Sequence, residues 1–306
     1  MLEIFKSTNY NFIKYKTVAI VFSLIVMVSS WIAIPLTGGI NFAVDFTGGT
    51  LVQIKFEKPV QKDLGKIRSI VKDLGLGSPE VKSIGALANN ELQITVKKKS
   101  EGTQVADQIR EALKKNYSEN SFELRRQELV GPKIGSELRT NAIIAVLLSM
   151  VALLIYVGVR FSLPFAVAAI VPIGHDVIIS LAPMFFIRSE LSLSTLAALL
   201  TIAGYSLNDT IVIFDRIREN LRNNMLKDKS FYDLVNVSIN QTLSRTIITF
   251  IAMLFVVAML FFFGGEAIKD FSLPMFTGTI AGVYSTVYIA SPILIWWNKK
   301  WPIKKV

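Results

Sequence analysis

Six runs of roughly 20 mainly apolar residues, near 17–37, 140–159, 163–187, 191–214, 246–265 and 271–298, constrain this chain more than any other feature. A hydrocarbon layer about 30 Å thick takes about that much helix, and buried backbone amides must be satisfied within the segment itself. The runs therefore predict a polytopic α-helical membrane protein with six transmembrane helices. With 52% hydrophobic and only 18% charged residues, the composition agrees. The first run is long and lacks a small-x-small cleavage site before Asn41, so it is read as a retained anchor.

Lysine and arginine set the orientation. The short segments on one side hold Lys14, Lys16, Arg160, Arg216, Arg222, Arg245, Lys299 and Lys300 among others, whereas the two short loops opposite hold only Arg188 and Lys269. Positive charge stays inside, which places both termini in the cytoplasm and 1–37, the loop 215–245 and the basic tail 299–306 at or facing that side. The net charge of +10 is this bias, with attraction to anionic membrane lipids added, and leaves no nucleic-acid partner to explain. The chain has no cysteine and one histidine, His175, which excludes disulfides, thiolate chemistry and a Cys- or multi-His metal site.

Between the first two spans, residues 38–139 form a hydrophilic insert large enough for an extracytoplasmic domain. Val52, Ile54 and Phe56 alternate with polar residues, as do Leu92, Ile94 and Val96, which is strand periodicity. Leu64, Ile67, Val71 and Leu74, then Val105, Ile109 and Leu113, recur at helical spacing. With a weaker strand at 80–84 and another around Phe122 and Leu124, the order is β-α-β-β-α-β, an α+β ferredoxin-like domain. Asn89-Asn90 is read as its hairpin turn. Gly48 and Gly49 precede the first strand and suit a tight turn; Gly131 and Pro132 end the last strand and open a short amphipathic helix into the second span. These four residues are the expected hinge between domain and membrane. The insert's acids and bases are scattered over polar faces and make no catalytic constellation.

Ionisable residues inside apolar spans are costly and point to function. Asp209 lies in the fourth span, in the inner third by the orientation above. Ser194, Ala198, Thr201, Tyr205 and Asn208 form a small, polar stripe that ends beside it. Arg245 opens the fifth span at similar depth, and the two are positioned to meet as an ion pair that protonation would break. The third span carries Pro164, Pro172, Gly174, His175, Asp176 and Pro183, a kinked and polar-centred pattern in which Asp176, with His175 beside it, is a candidate for a proton or water path. Gly278 and Gly282 in the sixth span mark a close-packing helix face.

The motifs DFTGGT after the first span, VGPKIG before the second, HDV in the third, GYSLNDTIVIFDRIREN in the fourth and NQTLSRT into the fifth together resemble the SecF branch of the SecD/SecF family. The resemblance runs through nearly the whole chain. It implies an RND-superfamily half-transporter that pairs with SecD, associates with the SecYEG channel and YajC, and uses the proton-motive force, with no other cofactor, in late steps of moving an unfolded polypeptide across the bacterial inner membrane. It further implies that Asp209 is the family's proton-carrying carboxylate and Arg245 its basic partner. A proton-coupled exporter of lipid or small molecules, or a scaffold without coupling, are the other functions compatible with the residues.

Overall fold

The computed structural model describes residues 8–77, 79–84, 90–97, 104–223 and 230–303. Each apolar run is a helix: α1 (Lys16–Leu36), α5 (Pro132–Arg160), α6 (Leu163–Ile187), α7 (Leu193–Arg222), α8 (Phe231–Phe263), and a last span of α9 (Glu266–Ser285) and α10 (Ser291–Lys300) joined by one π-helical turn, Thr286–Ala290. Two expectations are corrected here. The short helix at Pro132 is not separate: with no breaker before the apolar run, it continues as one helix of 29 residues. Nor is 215–245 mainly loop, because α7 runs on to Arg222 and α8 already begins at Phe231 under a Ser230–Asp233 capping box. Asn220 ties these two extensions together, donating to Ser238 and Gln241 at 2.8 and 2.9 Å. Despite its prolines α6 is continuous.

The helices divide into a core and a lipid-facing shell. In their most apolar stretches 56% of α6, 44% of α7 and 61% of the last span are buried, against 6% of α5 and 11% of α8. Small residues allow that core. A Cβ on Gly278 would lie 2.7 Å from Ile202 Cγ1, and one on Gly282 3.3 Å from Ser206 Cβ, so the predicted close-packing face is internal, α9 against α7.

The insert has the predicted order. A four-residue turn of helix, α2 (Val44–Thr47), leads into β1 (Gly49–Phe56), then α3 (Leu64–Lys72), β2 (Glu80–Ile84), β3 (Glu91–Val96), α4 (Gln104–Asn116) and β4 (Phe122–Val130). The sheet runs β2-β3-β1-β4 with every pairing antiparallel. Alternate residues of β1 and β3, including Ile54, Phe56, Leu92 and Ile94, bury against Ile67 and Val71 of α3 and Ile109 and Leu113 of α4. Asn90 takes a left-handed conformation at φ 52°; Asn89, the other half of the expected turn, lies outside the described residues.

Glycine is required where the domain meets the membrane. Gly48 has φ +75°, and a Cβ there would sit 2.9 Å from the Pro132 backbone; Gly49 has φ +151° and its Cβ would strike Val96 O. Gly135 returns the contact, since a Cβ on it would lie 2.7 Å from Gly48 N. Of the hinge residues named from sequence, Gly48 and Pro132 form a tightly packed joint between the start of β1 and the first turn of α5, Gly49 packs on β3, and Gly131 has open space around it. Beside it, the loop between α6 and α7 is laced to the entry segment: Ala43 N–H donates to Leu191 O and Leu191 N–H to Asn41 O, both at 2.8 Å, and Leu193 N–H donates to the Asp45 carboxylate at 3.0 Å.

Candidate functional site

Successive residues on a helix point about 100° apart, so α7 can serve two neighbours from one turn. Ser206 and Thr210 face inward toward α6 and the last span, while Asp209 faces α8. All three are buried, Asp209 at 6% exposure.

Asp176 of α6, fully buried, is the more enclosed carboxylate. Its Oδ2 accepts hydrogen bonds from Ser206 of α7 at 2.6 Å and Ser285 of α9 at 2.7 Å, and its Oδ1 lies 2.9 Å from His175 Nδ1. Three helices therefore converge on one side chain. His175 Nε2 is 3.1 Å from Ser23 Oγ on α1. Ser23 in turn donates to Tyr284 OH at 3.2 Å, and Tyr284 donates to the Ala19 carbonyl. In this donor order Nε2 donates to Ser23, which leaves a single proton between His175 Nδ1 and Asp176 Oδ1. The pair is thus either two neutral groups or an internal ion pair, and moving that proton changes no net charge. The neighbouring Thr210 and Thr286 hydroxyls are 3.1 Å apart, where the last span makes its π-helical turn, a local irregularity often found at functional sites.

Asp209 is held differently. Thr246 of α8 donates to its Oδ1 at 2.8 Å, and among the described residues Oδ2 has no hydrogen-bond partner. The expected Asp209–Arg245 ion pair is not formed in this conformation. Thr246 directly follows Arg245, so when it faces α7, Arg245 points about 100° away, where it is exposed. Its charge is still close enough to act on Asp209. Of the supporting residues, His175 joins the Asp176 network, Thr201 and Asn208 are exposed on the outer face of α7, and Tyr205 is half-buried with its hydroxyl 3.4 Å from Thr249 O. With Ser194, Ala197 and Gly204 they make an exposed stripe of small and polar residues along a membrane helix. Ala198, assigned to the stripe from sequence, is buried against Val257 and Met275 instead.

Sequence reasoning missed Thr246, Ser206 and Ser23, and placed Ser285 only on the close-packing face with Gly278 and Gly282. Ser206 and Thr246 stand inside the motifs quoted above, and Ser285 three residues beyond Gly282, but hydroxyls are common in spans and only packing selects these. Among the described residues no group of three or more His, Cys, Asp or Glu side chains could hold a metal ion.

Comparison with known proteins covers the chain nearly end to end. A family model described as protein export membrane protein SecD/SecF, C-terminal, matches residues 108–300, and one described as the SecD/SecF GG motif matches 34–60, the segment that contains Gly48 and Gly49. The protein translocase subunit SecF of Pseudomonas aeruginosa is 41% identical over 96% of this chain and 93% of its own length; that of Thermodesulfovibrio yellowstonii is 37% identical over 100% of both. The crystal structure of SecDF, a translocon-associated membrane protein from Thermus thermophilus, superposes with a TM-score of 0.81 at 32% identity. That match takes in 96% of this chain and 39% of the SecDF chain.

Proposed function

Because the chain belongs to the SecD/SecF family of protein-export membrane proteins, we propose that it is the SecF-type subunit of the Sec export machinery, working with a SecD chain and driven by the proton-motive force. The solved SecDF polypeptide is much longer than this one, so the complement is a SecD partner. The exposed Ser194–Asn208 stripe of α7 is a fitting surface for it, since small and polar residues along a span favour protein over lipid. SecYEG and YajC are the further partners of this reading, the bacterial inner membrane its location with both termini cytoplasmic, anionic lipid its surroundings, and a translocating unfolded polypeptide its cargo. The chain acts as a transport component, and the proton gradient stands in place of a cofactor.

The observation that carries proton coupling is the half-satisfied Asp209: buried, one oxygen on Thr246, the other open. Such a carboxylate changes partner when its charge changes. Ionised, it attracts Arg245, whose movement toward α7 requires α8 to turn or its long side chain to swing inward; protonated, it releases Arg245 and settles on Thr246. Asp176, with His175, offers a second proton position on the opposite face of α7. Helix movement reaches the insert through α5, which begins at the Gly48–Pro132 joint. One charge crossing 100 mV supplies about 2.3 kcal/mol, enough to shift such an equilibrium several tens-fold.

The test is gradient-dependent export in proton-energised vesicles that carry Asp209→Asn together with SecD. The proton-driven increment disappears while assembly with SecD persists. Undiminished gradient-dependent export refutes the coupling role, and lost assembly instead assigns Asp209 to structure.

A further inference from the structure

A second group of buried charges lies far from Asp209, where the insert rests on the outer ends of the helices. Lys82 of β2 bridges Glu80 at 3.1 Å and Asp270 of α9 at 3.4 Å. Lys97, just past β3, pairs with Glu190 in the α6–α7 loop and donates to Asn41 Oδ1 at 2.8 Å. Ser189 donates to the other Asp270 oxygen at 2.9 Å. The Glu190 carboxyl also lies within hydrogen-bonding reach of Glu80. Five segments of the chain thus meet, and their charged groups are largely removed from water, Glu190 to 5% exposure.

The charges do not balance. Among the described residues the ion pairs of this cluster join three carboxylates to two ammonium groups, one negative charge in excess unless a proton is held there. The position of that proton follows from the geometry: Glu80 Oε2 is buried and receives no hydrogen bond from any ordinary donor among the described residues, yet it belongs to a carboxyl that faces another. Two carboxyls in contact are satisfied when they share one proton and repel when both ionise. Of the other charged groups on the packed elements, Asp45 accepts from Leu193 N–H, the Arg188 guanidinium lies against Gly38, and Lys269, one residue before Asp270, has an interaction of its own.

We propose that this cluster is a one-proton latch: a proton shared by Glu80 and Glu190 keeps the β2–β3 end of the extracytoplasmic domain docked on the outer ends of α6 and α9, and its loss frees that end to swing about the Gly48–Pro132 joint. The latch responds to the pH outside the membrane and stands independently of Asp209. Burial first, then the charge of Glu80, pushes the Glu190 carboxyl up to about 8 against the pull of Lys97. For Glu80 burial acts upward, but the hydrogen bond from Glu190 and the charge of Lys82 outweigh it and hold the carboxyl below its ordinary value, so the proton resides on Glu190. A carboxyl raised on docking favours the docked state in acid. The lowered Glu80 carboxyl acts the other way and loses its contribution in acid, so docking is strongest near the ordinary carboxylate range, weakens by up to tenfold per pH unit above it, and stops changing beyond pH about 8.

The chain contains no cysteine, so Lys114→Cys on α4 and Phe186→Cys on α6, both exposed, give a clean spin-label pair on the full chain assembled with SecD in lipid nanodiscs. Electron-electron distance measurements are expected to give one short distance at pH 5 and a growing second, longer population that levels off above pH about 8. Glu190→Gln, which cannot ionise, keeps the short distance throughout, and Glu80→Gln, which removes the opposing charge, flattens the pH response as well. Circular dichroism and thermal melting of each variant establish that the insert is folded. A distance independent of pH in the unmodified cluster, or an unchanged pH response in folded Glu190→Gln, overturns the latch.

Discussion

Replacing Asp176 separates a carboxylate that packs helices from one that handles a proton. In Asp176→Ala the acceptor at the meeting point of α6, α7 and α9 is gone. Ser285 has a second acceptor, the Gly282 carbonyl at 3.1 Å, and a freed Ser206 hydroxyl can turn back to its own helix, as many buried serines do. His175 Nδ1 has no such refuge, because its ring is fixed by Ser23 on the other side. One stranded buried polar atom costs about 1–3 kcal/mol, and the void left by the carboxylate adds to it, giving a loss of roughly 2–5 kcal/mol. Asp176→Asn keeps the shape: its amide oxygen can still take both serine hydroxyls and its NH2 can donate to Nδ1, so the expected loss is below about 1.5 kcal/mol. Thermal unfolding of the chain assembled with SecD, followed by circular dichroism, measures both. Gradient-driven export, measured on the Asn variant, then reports the proton role alone: a stable Asp176→Asn that exports without response to the gradient assigns Asp176 to the proton path, and full export assigns it to structure. An Asp176→Ala protein that melts with the parent refutes the network reasoning itself.

Other expectations follow from single contacts. Gly49→Val places a branched side chain at φ +151° against the Val96 carbonyl and should displace the joint, with accelerated proteolysis of the insert while the membrane helices stay intact. Gly278→Leu overpacks α9 against Ile202 and should lower unfolding stability by about 1–3 kcal/mol, whereas the same change at Gly204, which nothing approaches within 4 Å in the lone chain, should leave the chain's own stability intact and weaken only assembly with SecD. Ser230→Ala removes the α8 cap and should cost about 1 kcal/mol, read as faster hydrogen exchange in the first turn of that helix.

Much of this fold is written locally. Six apolar runs become six helices because a span must satisfy its own backbone, and the alternation at Val52, Ile54 and Phe56 becomes β1 because residues two apart share one face of a strand. Even the weak 80–84 strand forms where expected, since β3 offers it an antiparallel edge. Glycine at 48 and 49 announced a turn that only glycine can make. Asp209 and Asp176 were legible as candidates for the same reason, because a carboxylate in an apolar run has a high local cost.

Their partners were not legible. Helical spacing places Arg245 and Thr246 at one depth but does not say how α8 is rotated about its axis, and that rotation alone decides which of them faces Asp209. Ser23, Ser206 and Ser285 meet around His175 and Asp176 only because close helix packing at Gly278 and Gly282 brings the last span against α7. The Glu80–Glu190 cluster is further still from local reading, as its members come from a strand, the residue that follows another strand, a loop and a span. By itself the sequence determined the membrane-spanning architecture, the ferredoxin-like order of the insert and the residues too costly to be incidental. Tertiary structure decided which of those residues touch, because a period along one element carries no information about the angle at which two elements pack.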